Sequence, residues 1–299
     1  MAAKVQTHPL ISIRAEASVQ DAARLMADFS IGAIGVLNED KQFGGIVTER
    51  DLSWFVAQAK DPLATRVGEI VNDFPVVVEA PIDDADAIER MMAARIRHLV
   101  VREGNDFRII SMRDFFSAGV ADADEPTARE VMTAPAVACR DEAFFEEIAE
   151  TLADRDISGM PVVDASGTVV GVISERDLAH ALGGPMVRLA VSRHNHGPSI
   201  RGLHDMPRNV RRAKDVMSTP AVSVGPDAHL DAIARLMRIH RINRVPVMDS
   251  GRLVGVVTRG DVLGAIAHLE HSEIDLTRSP LLVGSEGMHL EEFHEGWSH

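Results

Sequence analysis

A short polar pattern, a hydroxyl residue followed three positions later by an aspartate, recurs four times in the chain. Ser174 and Asp177 form it in GVISERD, and its other copies are GIVTERD ending at Asp51, GVVTRGD ending at Asp261 and RIISMRD ending at Asp114. A hydroxyl can donate to a phosphate oxygen, and a carboxylate can accept from two neighbouring ribose hydroxyls. The pattern therefore offers the chemistry of nucleotide binding.

Two interpretations of the pattern stay open on the residues alone. In the first it is a capping box that only starts a helix, with hydroxyl and carboxylate each accepting a backbone N–H. In the second the same helix N-terminus binds a ligand, because its free N–H groups and positive partial charge attract phosphate. Arg108 stands where the other three copies have glycine, so we expect the second copy to be the weakest site, or empty.

The motif belongs to a larger repeating unit. Its last residue falls at Asp51, Asp114, Asp177 and Asp261, so the spacings are 63, 63 and 84 residues and the last gap holds an insertion. An apolar stretch such as ISGMPVVD precedes each copy, and a proline-led apolar strand such as APAVACR lies further upstream. Because the similarity extends over the whole unit, the sequence indicates four structural repeats with the same order of helices and strands.

Periodicity within the unit predicts that order. Apolar residues at helical spacing predict an amphipathic helix in each unit, at residues 18–29, 84–95, 142–154 and 227–240. Two short apolar runs around polar turn residues then predict a strand pair, and the motif leads into a second helix. The predicted fold class is α/β (α+β), with four tandem β-α-β-β-α repeats and small mixed sheets. A unit this small buries little surface alone, so adjacent units should pair face to face.

The repeats leave two further segments. We predict repeats one to four at residues 1–60, 67–120, 128–184 and 213–269, a basic inserted loop at 185–212 and an acidic tail at 270–299. The loop carries six arginines and three histidines against one aspartate. It is interpreted as a linker closing onto a phosphate, a docking segment for an acidic partner, or a nucleic-acid contact. The loop lacks the aromatic residues that stack on bases, which disfavours the last of these.

The units resemble the cystathionine-β-synthase (CBS) domain family. The resemblance rests on VMT and VMS before the proline-led strands at 131–133 and 216–218, on MPVVD and VPVMD, and on the closing G-h-h-[ST]-x-x-D. It covers residues 5 to about 269. It implies that the repeats pair into two Bateman modules, and that AMP, ADP, ATP or S-adenosylmethionine binds in clefts between paired repeats as a regulatory ligand. No cofactor is required.

The same resemblance implies candidate binding residues. Backbone groups of the first strand would hydrogen-bond to the edge of the adenine base, and the ISGMPVVD strand would pack its apolar residues against the base. In repeat three these are Thr133, Ala136, Val137, Gly159, Met160 and Pro161, with Ser174, Arg176 and Asp177 of the motif. In repeat four they are Ala221, Val222, Asn243, Arg244, Val245 and Pro246, with Thr258, Arg259 and Asp261; in repeat one they are Thr48, Arg50 and Asp51. Most of the apolar members would also be core residues without a ligand.

One aligned position differs sharply between the copies. In repeats one to four it is occupied by Ala33, His98, Gly159 and Arg244, so each pair of adjacent repeats has one small and one basic residue there. We expect Arg244 and His98 to neutralise a phosphate, helped by Arg50 and Arg176 in the motifs. A charge on His98 would respond to mild acidification. The alternative is that these residues are solvated surface charges.

Composition narrows the classes of function. A net charge of −14 argues against broad binding to nucleic acid or anionic lipid. The lone Cys139 has no partner for a disulfide or a CxxC metal cage, and the sequence contains no catalytic motif, membrane span or export signal. We therefore predict a cytoplasmic regulatory protein, not an enzyme and without a bound metal, that forms a homodimer and signals to a protein partner. The alternatives are an interaction scaffold with vestigial clefts and a nucleic-acid-binding regulator that uses the basic loop.

Overall fold

The computed structural model describes residues 7–115, 126–183 and 211–266. The acidic tail and all of the basic loop except Arg211 and Arg212 lie outside these ranges, so the predictions for both stay untested. The second helix predicted for repeat two, after Asp114, falls on residues outside these ranges, so that prediction also stays untested.

The predicted β-α-β-β-α order is complete in repeats one and three, whereas in repeat four an isolated bridge at Val224 replaces the leading strand, and in repeat two the described residues end before a second helix. Repeat one contains β1 (His8–Pro9), β2 (Ser12–Arg14), α1 (Val19–Phe29), β3 (Ala33–Leu37), β4 (Phe43–Thr48) and α2 (Glu49–Ala57). Repeat two contains β5 (Val77–Glu79), α3 (Asp84–Ala93), β6 (His98–Glu103) and β7 (Asp106–Ser111), after a 3-10 turn at Val67–Glu69. Repeat three contains α4 (Ala128–Val131), β8 (Cys139–Arg140), α5 (Phe145–Asp154), β9 (Gly159–Val163), β10 (Val169–Ser174) and α6 (Glu175–Gly183). Repeat four contains α7 (Ala213–Val216), α8 (Leu230–His240), β11 (Arg244–Asp249), β12 (Arg252–Thr258) and α9 (Arg259–Ile266).

The sheets are small and mixed, which confirms the predicted fold class. The two central strands of each repeat form an antiparallel hairpin, as β3–β4, β6–β7, β9–β10 and β11–β12. In the first three repeats the leading strand pairs in parallel with the first strand of the hairpin. A helix crosses between these two strands because parallel neighbours need a long connection.

In each module the stretch at the start of one repeat, which we call its leading segment, hydrogen-bonds to the neighbouring repeat. The strand β1 of repeat one pairs with β7 of repeat two, and the N–H of Val67, in the leading segment of repeat two, donates to the Ala17 carbonyl of repeat one at 2.8 Å. Thr133, in the leading segment of repeat three, exchanges two hydrogen bonds with Val256 of repeat four, and Ser218, in the leading segment of repeat four, exchanges two with Val172 of repeat three. Repeats one and two therefore form one module and repeats three and four the other, as predicted.

Helices join the two modules across the centre of the molecule. One core cluster unites repeats one and three and includes Met26, Phe55, Phe145 and Leu178. The second unites repeats two and four around residues such as Met237. Because one face of each amphipathic helix is apolar, burying it against the other module removes that surface from water. A single chain thus brings both of its modules together.

Candidate functional site

A cavity of about 530 Å³ lies where all four repeats meet. Its lining comes from the start of α2, the β6–β7 hairpin, the leading segment of repeat three, the turn before β9 and the motif of repeat four. The volume falls within the range of small-molecule sites. We call it the central cavity.

Asp261 and Thr258 of the repeat-four motif line this cavity. The backbone N–H and the hydroxyl of Thr258 each donate to Asp261 Oδ2 at 2.7 Å. The aspartates of the other three copies also accept the backbone N–H of their serine or threonine, at 2.7 to 2.9 Å. Both bonds of the capping box are present in repeats one and four, where the N–H of Asp51 and of Asp261 also donates to the threonine hydroxyl at 3.4 Å. Among the four motif aspartates, Asp261 is the one that also lines the central cavity.

The predicted grouping of Thr133, Ala136 and Val137 with the repeat-three motif is wrong. The exchanged leading segment carries Thr133 onto β12, where its N–H donates to the Val256 carbonyl at 3.0 Å. All three residues line the central cavity together with Asp261. Their partner motif is that of repeat four, because the segment crosses to the neighbouring repeat before it returns to β8.

The same exchange carries the leading segment of repeat four onto repeat three. The Thr219 hydroxyl donates to the Val170 carbonyl at 2.9 Å, and Val224 returns to pair with Val247 of β11. Ala221 and Val222 lie between these two anchor points, away from the lining of the central cavity.

The apolar candidates on β9 and β11 are core residues. Met160 and Val245 are fully buried, and Pro161 and Pro246 are buried beside them. None of the four lines the central cavity. Asn243, just before β11, does line it.

Arg244 is a buried cation at the wall of the central cavity, with 5% of its surface exposed. Its Nη2 donates to Ser158 Oγ at 2.7 Å, and its Nη1 lies 3.5 Å from the Ile173 carbonyl oxygen. Burial, with the nearby charge of Arg97, lowers the pKa of Arg244 to about 10. It therefore stays positively charged at neutral pH, and the surface-charge alternative is wrong for this residue.

His98 also lines the cavity, but the expectation of a charge that responds to mild acid is wrong. Its imidazole occupies space beside Gly32, where a Cβ would lie 2.9 Å from the ring. Removal from water and the positive charge of Arg97 lower the pKa of His98 to about 3. The ring is therefore neutral in mild acid and can contribute a hydrogen bond rather than a charge.

Two buried glutamates, which the sequence did not single out, cross-link repeats one and three. Arg176 Nε donates to Glu49 Oε1 at 2.6 Å, and Arg50 Nε donates to Glu175 Oε1 at 3.2 Å. Arg97 of repeat two also pairs with Glu175. Burial opposes ionisation of Glu49, but Arg176 and further arginines outweigh it and lower its pKa to about 2.

The arginines around these carboxylates form what we call the central ion cluster: Glu49, Arg50, Arg97, Arg113, Glu175, Arg176, Arg244 and Arg259. The prediction that Arg50 and Arg176 help to hold a phosphate is not supported, because both already pair with carboxylates. The sequence signal was the Glu-Arg pair inside TERD and SERD, which occurs only in repeats one and three.

The aspartates of the other three motif copies do not line the central cavity. Asp177 accepts from the Ser174 backbone N–H and hydroxyl at 2.9 and 2.6 Å, and Thr48 and Asp51 make the same contacts with each other. The leading segment of repeat one reaches the motif of repeat two, where His8 Nε2 lies 3.1 Å from Asp114 Oδ1. Arg108, in place of glycine, fixes this segment through the Thr7 hydroxyl and carbonyl. These contacts support the expectation of a weak or empty second site.

The fold and this cavity define a tandem-repeat α/β protein whose two modules enclose a shared polar site. A model of the CBS domain matches residues 2–57, 128–184 and 213–268, more than half of the chain, so the protein belongs to the CBS domain family. Repeat two is not among the matched residues, although it has the same β-α-β-β order.

Known proteins resemble either part or nearly all of the chain. YlbB of Bacillus subtilis is 30% identical over 169 residues, which are 56% of this chain and 97% of YlbB. MJ1426 of Methanocaldococcus jannaschii is 31% identical over 160 residues, 46% of this chain and 89% of that protein. The crystal structure of MJ1225 from the same archaeon superposes with a TM-score of 0.70 at 20% identity, covering 88% of this chain and 98% of that one, and it shows the fold. Within the described residues, no helix has the length and apolarity needed to cross a membrane.

Proposed function

We propose that this protein is a regulatory sensor that binds an adenine nucleotide in the central cavity and transmits occupancy to a partner protein. The observation that carries the proposal is the charge of the cavity. In a chain with net charge −14, six arginines and three carboxylates line it, and Glu175 behind the wall pairs with two of the six, Arg50 and Arg97. Cations gathered around one cavity of an acidic protein favour an anionic ligand, because mutual repulsion and desolvation make such a gathering costly without one.

The residues around the cavity suit the parts of a nucleotide. The N-terminus of α9 and the guanidinium groups of Arg113, Arg244 and Arg259 face the region where phosphate would lie. In this proposal the carboxylate of Asp261, which lines the cavity, accepts from ribose hydroxyls. Backbone groups of the segment from Thr133 to Val137 offer hydrogen bonds for the edge of a base.

Occupancy would be communicated through the contact between modules. Arg97 and Arg113 belong to repeat two, whereas Arg244 and Arg259 belong to repeat four in the other module. An anion held by both sets favours the arrangement in which they converge, and a ligand changes an equilibrium only through such differential contact. The proposed role is binding rather than catalysis. The partner protein, the homodimer and the cytoplasmic location stay predictions.

Isothermal titration of the full chain with AMP, ADP, ATP and S-adenosylmethionine, together with thermal shift, tests the proposal. We expect micromolar binding of at least one nucleotide, with about one molecule bound per chain because one cavity combines motif and cations. The absence of heat and of any thermal shift with all four compounds would contradict the proposal and favour the scaffold with vestigial clefts.

A further inference from the structure

A second groove, of about 420 Å³, lies on module one between its two hairpins. It shares no lining residue with the central cavity. Three phenylalanines line it: Phe43 from the start of β4, Phe107 from β7 and Phe74 from the leading segment of repeat two. We call it the aromatic groove. Its lining is apolar where that of the central cavity is rich in arginine, so it offers a different chemistry.

The rings of the aromatic groove are open to binding. Those of Phe43 and Phe107 stack with their centroids 4.2 Å apart, which forms one platform. Phe74 is 86% exposed, the highest value among the large hydrophobic residues of the described ranges, and Val77 beside it is 41% exposed. Phe74 therefore contributes little to the core. An exposed apolar patch with a polar border is typical of a protein–protein contact, where aromatic residues are enriched.

Module two shows that the fold does not require an aromatic residue at the position of Phe74. The equivalent residue, which precedes the proline of the leading segment, is Thr219, and its hydroxyl donates to the Val170 carbonyl at 2.9 Å. Counted back from the motif aspartates, the other two phenylalanines correspond to Val169 and Val254. Three aromatic residues together are thus a property of module one alone, and packing of the repeat does not account for them.

Acidic residues predominate at the border of the aromatic groove. The lining residues and those within three positions of them include five acidic residues against three basic ones: Asp40, Asp73, Glu79, Glu103 and Asp106 against Lys41, Arg102 and Arg108. All five acidic residues are exposed. Arg102 pairs with Glu79, and Arg108 Nε lies 3.8 Å from Glu103 Oε2. The excess of two negative charges therefore belongs to the three aspartates.

This charge discriminates between occupants. A second copy of the chain would bring the same acidic border to the contact, and the tail at 270–299 carries seven acidic residues against one arginine. Both would place like charges opposite each other, which is unfavourable at an interface. An arginine side chain suits the groove, because a guanidinium pairs with carboxylates and also stacks on the faces of aromatic rings.

We infer that the aromatic groove docks an arginine-bearing segment of a different protein. Its arginine side chains stack on the platform of Phe43 and Phe107 and pair with the aspartates of the border, while Phe74 packs against its apolar residues. Docking at this groove requires no ligand in the central cavity, so it can be tested independently of nucleotide binding.

Titration of the full chain with short synthetic peptides tests the docking. The first peptide contains arginine, glycine and serine around one central leucine, and two matched peptides carry lysine or glutamate in place of every arginine. We expect the arginine peptide to bind, the lysine peptide to bind roughly threefold more weakly because it loses the stacking, and the glutamate peptide not to bind. Equal affinities for the arginine and lysine peptides would indicate general attraction to an acidic protein and refute the docking, as would a lack of binding by the arginine peptide.

Phe74→Ser locates the contact. Because Phe74 is largely exposed, the variant should fold, and we expect it to bind the arginine peptide about tenfold more weakly, as for a central aromatic residue of an interface. Phe29→Ser is the matched control, since Phe29 is 58% exposed on α1 and does not line the groove. It should bind as tightly as the wild type. If the two variants bind equally well, the peptide site lies elsewhere and the inference is wrong.

Three measurements address the other occupants. Sedimentation velocity should give the same oligomeric state for the wild type and the groove variant, whereas a smaller species in the variant would assign the groove to a second copy. Trp297→Ser in the tail, and Arg188→Lys, Arg193→Lys, Arg201→Lys and Arg208→Lys together in the basic loop, should leave the affinity for the arginine peptide unchanged. The lysine changes keep the net charge and remove stacking. Tighter binding in either variant would show that the chain's own segment competes for the groove, which contradicts docking of a different protein.

Discussion

The guanidinium of Arg244 occupies the space left by the missing side chain of Gly159. A Cβ on Gly159 would lie 1.2 Å from Arg244 Nη1 and 2.4 Å from the Ile173 carbonyl oxygen. The backbone of Gly159, with φ of 155°, is also in a region that other residues rarely adopt. A glycine in one repeat therefore permits a buried cation from the neighbouring repeat to reach the cavity.

Gly159→Ala should displace Arg244 and weaken ATP binding. We expect a loss of about 2–3 kcal/mol in the free energy of unfolding, from overpacking and backbone strain together. Gly167→Ala is the control, since Gly167 has φ of 84° but no atom lies within 4 Å of the position that its Cβ would take. It should cost only about 1 kcal/mol of strain. Urea unfolding and titration with ATP measure both effects, and equal losses in the two variants would contradict the packing argument.

Asp261→Ala should remove ribose contacts as well as a helix cap. We expect about 1 kcal/mol of lost stability from the cap and a tenfold to hundredfold loss of nucleotide affinity, about 1.5–3 kcal/mol. Asp51→Ala is closely matched, because Thr48 donates to Asp51 with the same two 2.7 Å hydrogen bonds as Thr258 does to Asp261. The control should lose the same stability and keep its nucleotide affinity. Equal affinities in the two variants would move the ribose contact away from repeat four.

Glu49→Gln should destabilise the contact between modules at neutral pH. Removing one partner of a buried ion pair leaves Arg176 uncompensated and costs about 3 kcal/mol. Because the folded pKa of about 2 lies below the ordinary 4.5, this stabilisation is present above pH 4.5 and is lost as the pH falls towards 2. Unfolding free energies measured against pH should approach each other for wild type and variant as the pH falls from 4.5 to about 2. The exposed Glu89→Gln control should change stability by less than about 0.5 kcal/mol.

Two buried histidines, His98 and His180, should make the free energy of unfolding fall in mild acid. Removal from water lowers the pKa of His98 to about 3 and of His180 to about 4, so the unfolded chain takes up protons near pH 6.5 that the folded protein does not. Stability is therefore full above pH 6.5 and decreases by about 1.4 kcal/mol per pH unit for each histidine as the pH falls. His98→Gln should remove about half of this slope between pH 6 and 4.5. An unchanged slope, matching that of the exposed His240→Gln, would show that His98 is protonated in the folded protein.

Local sequence predicted the elements because their signals are local. The helices predicted at 18–29 and 227–240 are observed at Val19–Phe29 and Leu230–His240. Apolar periodicity fixes which face of a helix is buried, and a hydroxyl with a carboxylate three residues later fixes where the helix starts. Repetition of these signals was enough to give the fold class and the pairing of adjacent repeats.

The composition of the site could be predicted only in part. Arg244, Gly159 and His98 stood out because one aligned position alternates between small and basic residues, and all three line the cavity. Glu49 and Glu175 did not stand out, since a glutamate at the start of a helix is usually solvated and favoured there by the helix dipole. Only the approach of α2 to α6 buries them and gives each an arginine from the other module.

The sequence by itself determined four similar β-α-β-β units, their capped helices and a supply of basic residues at one recurring position. The tertiary structure decided which motif meets which leading segment. Thr133 joins Asp261 of repeat four rather than Asp177 of repeat three because its strand segment crosses to β12. The tertiary structure also decided which arginines pair with carboxylates, because such pairing depends on the distance between residues of different modules. Local patterns describe single elements, whereas burial and charge pairing are properties of the surfaces that long-range packing brings together.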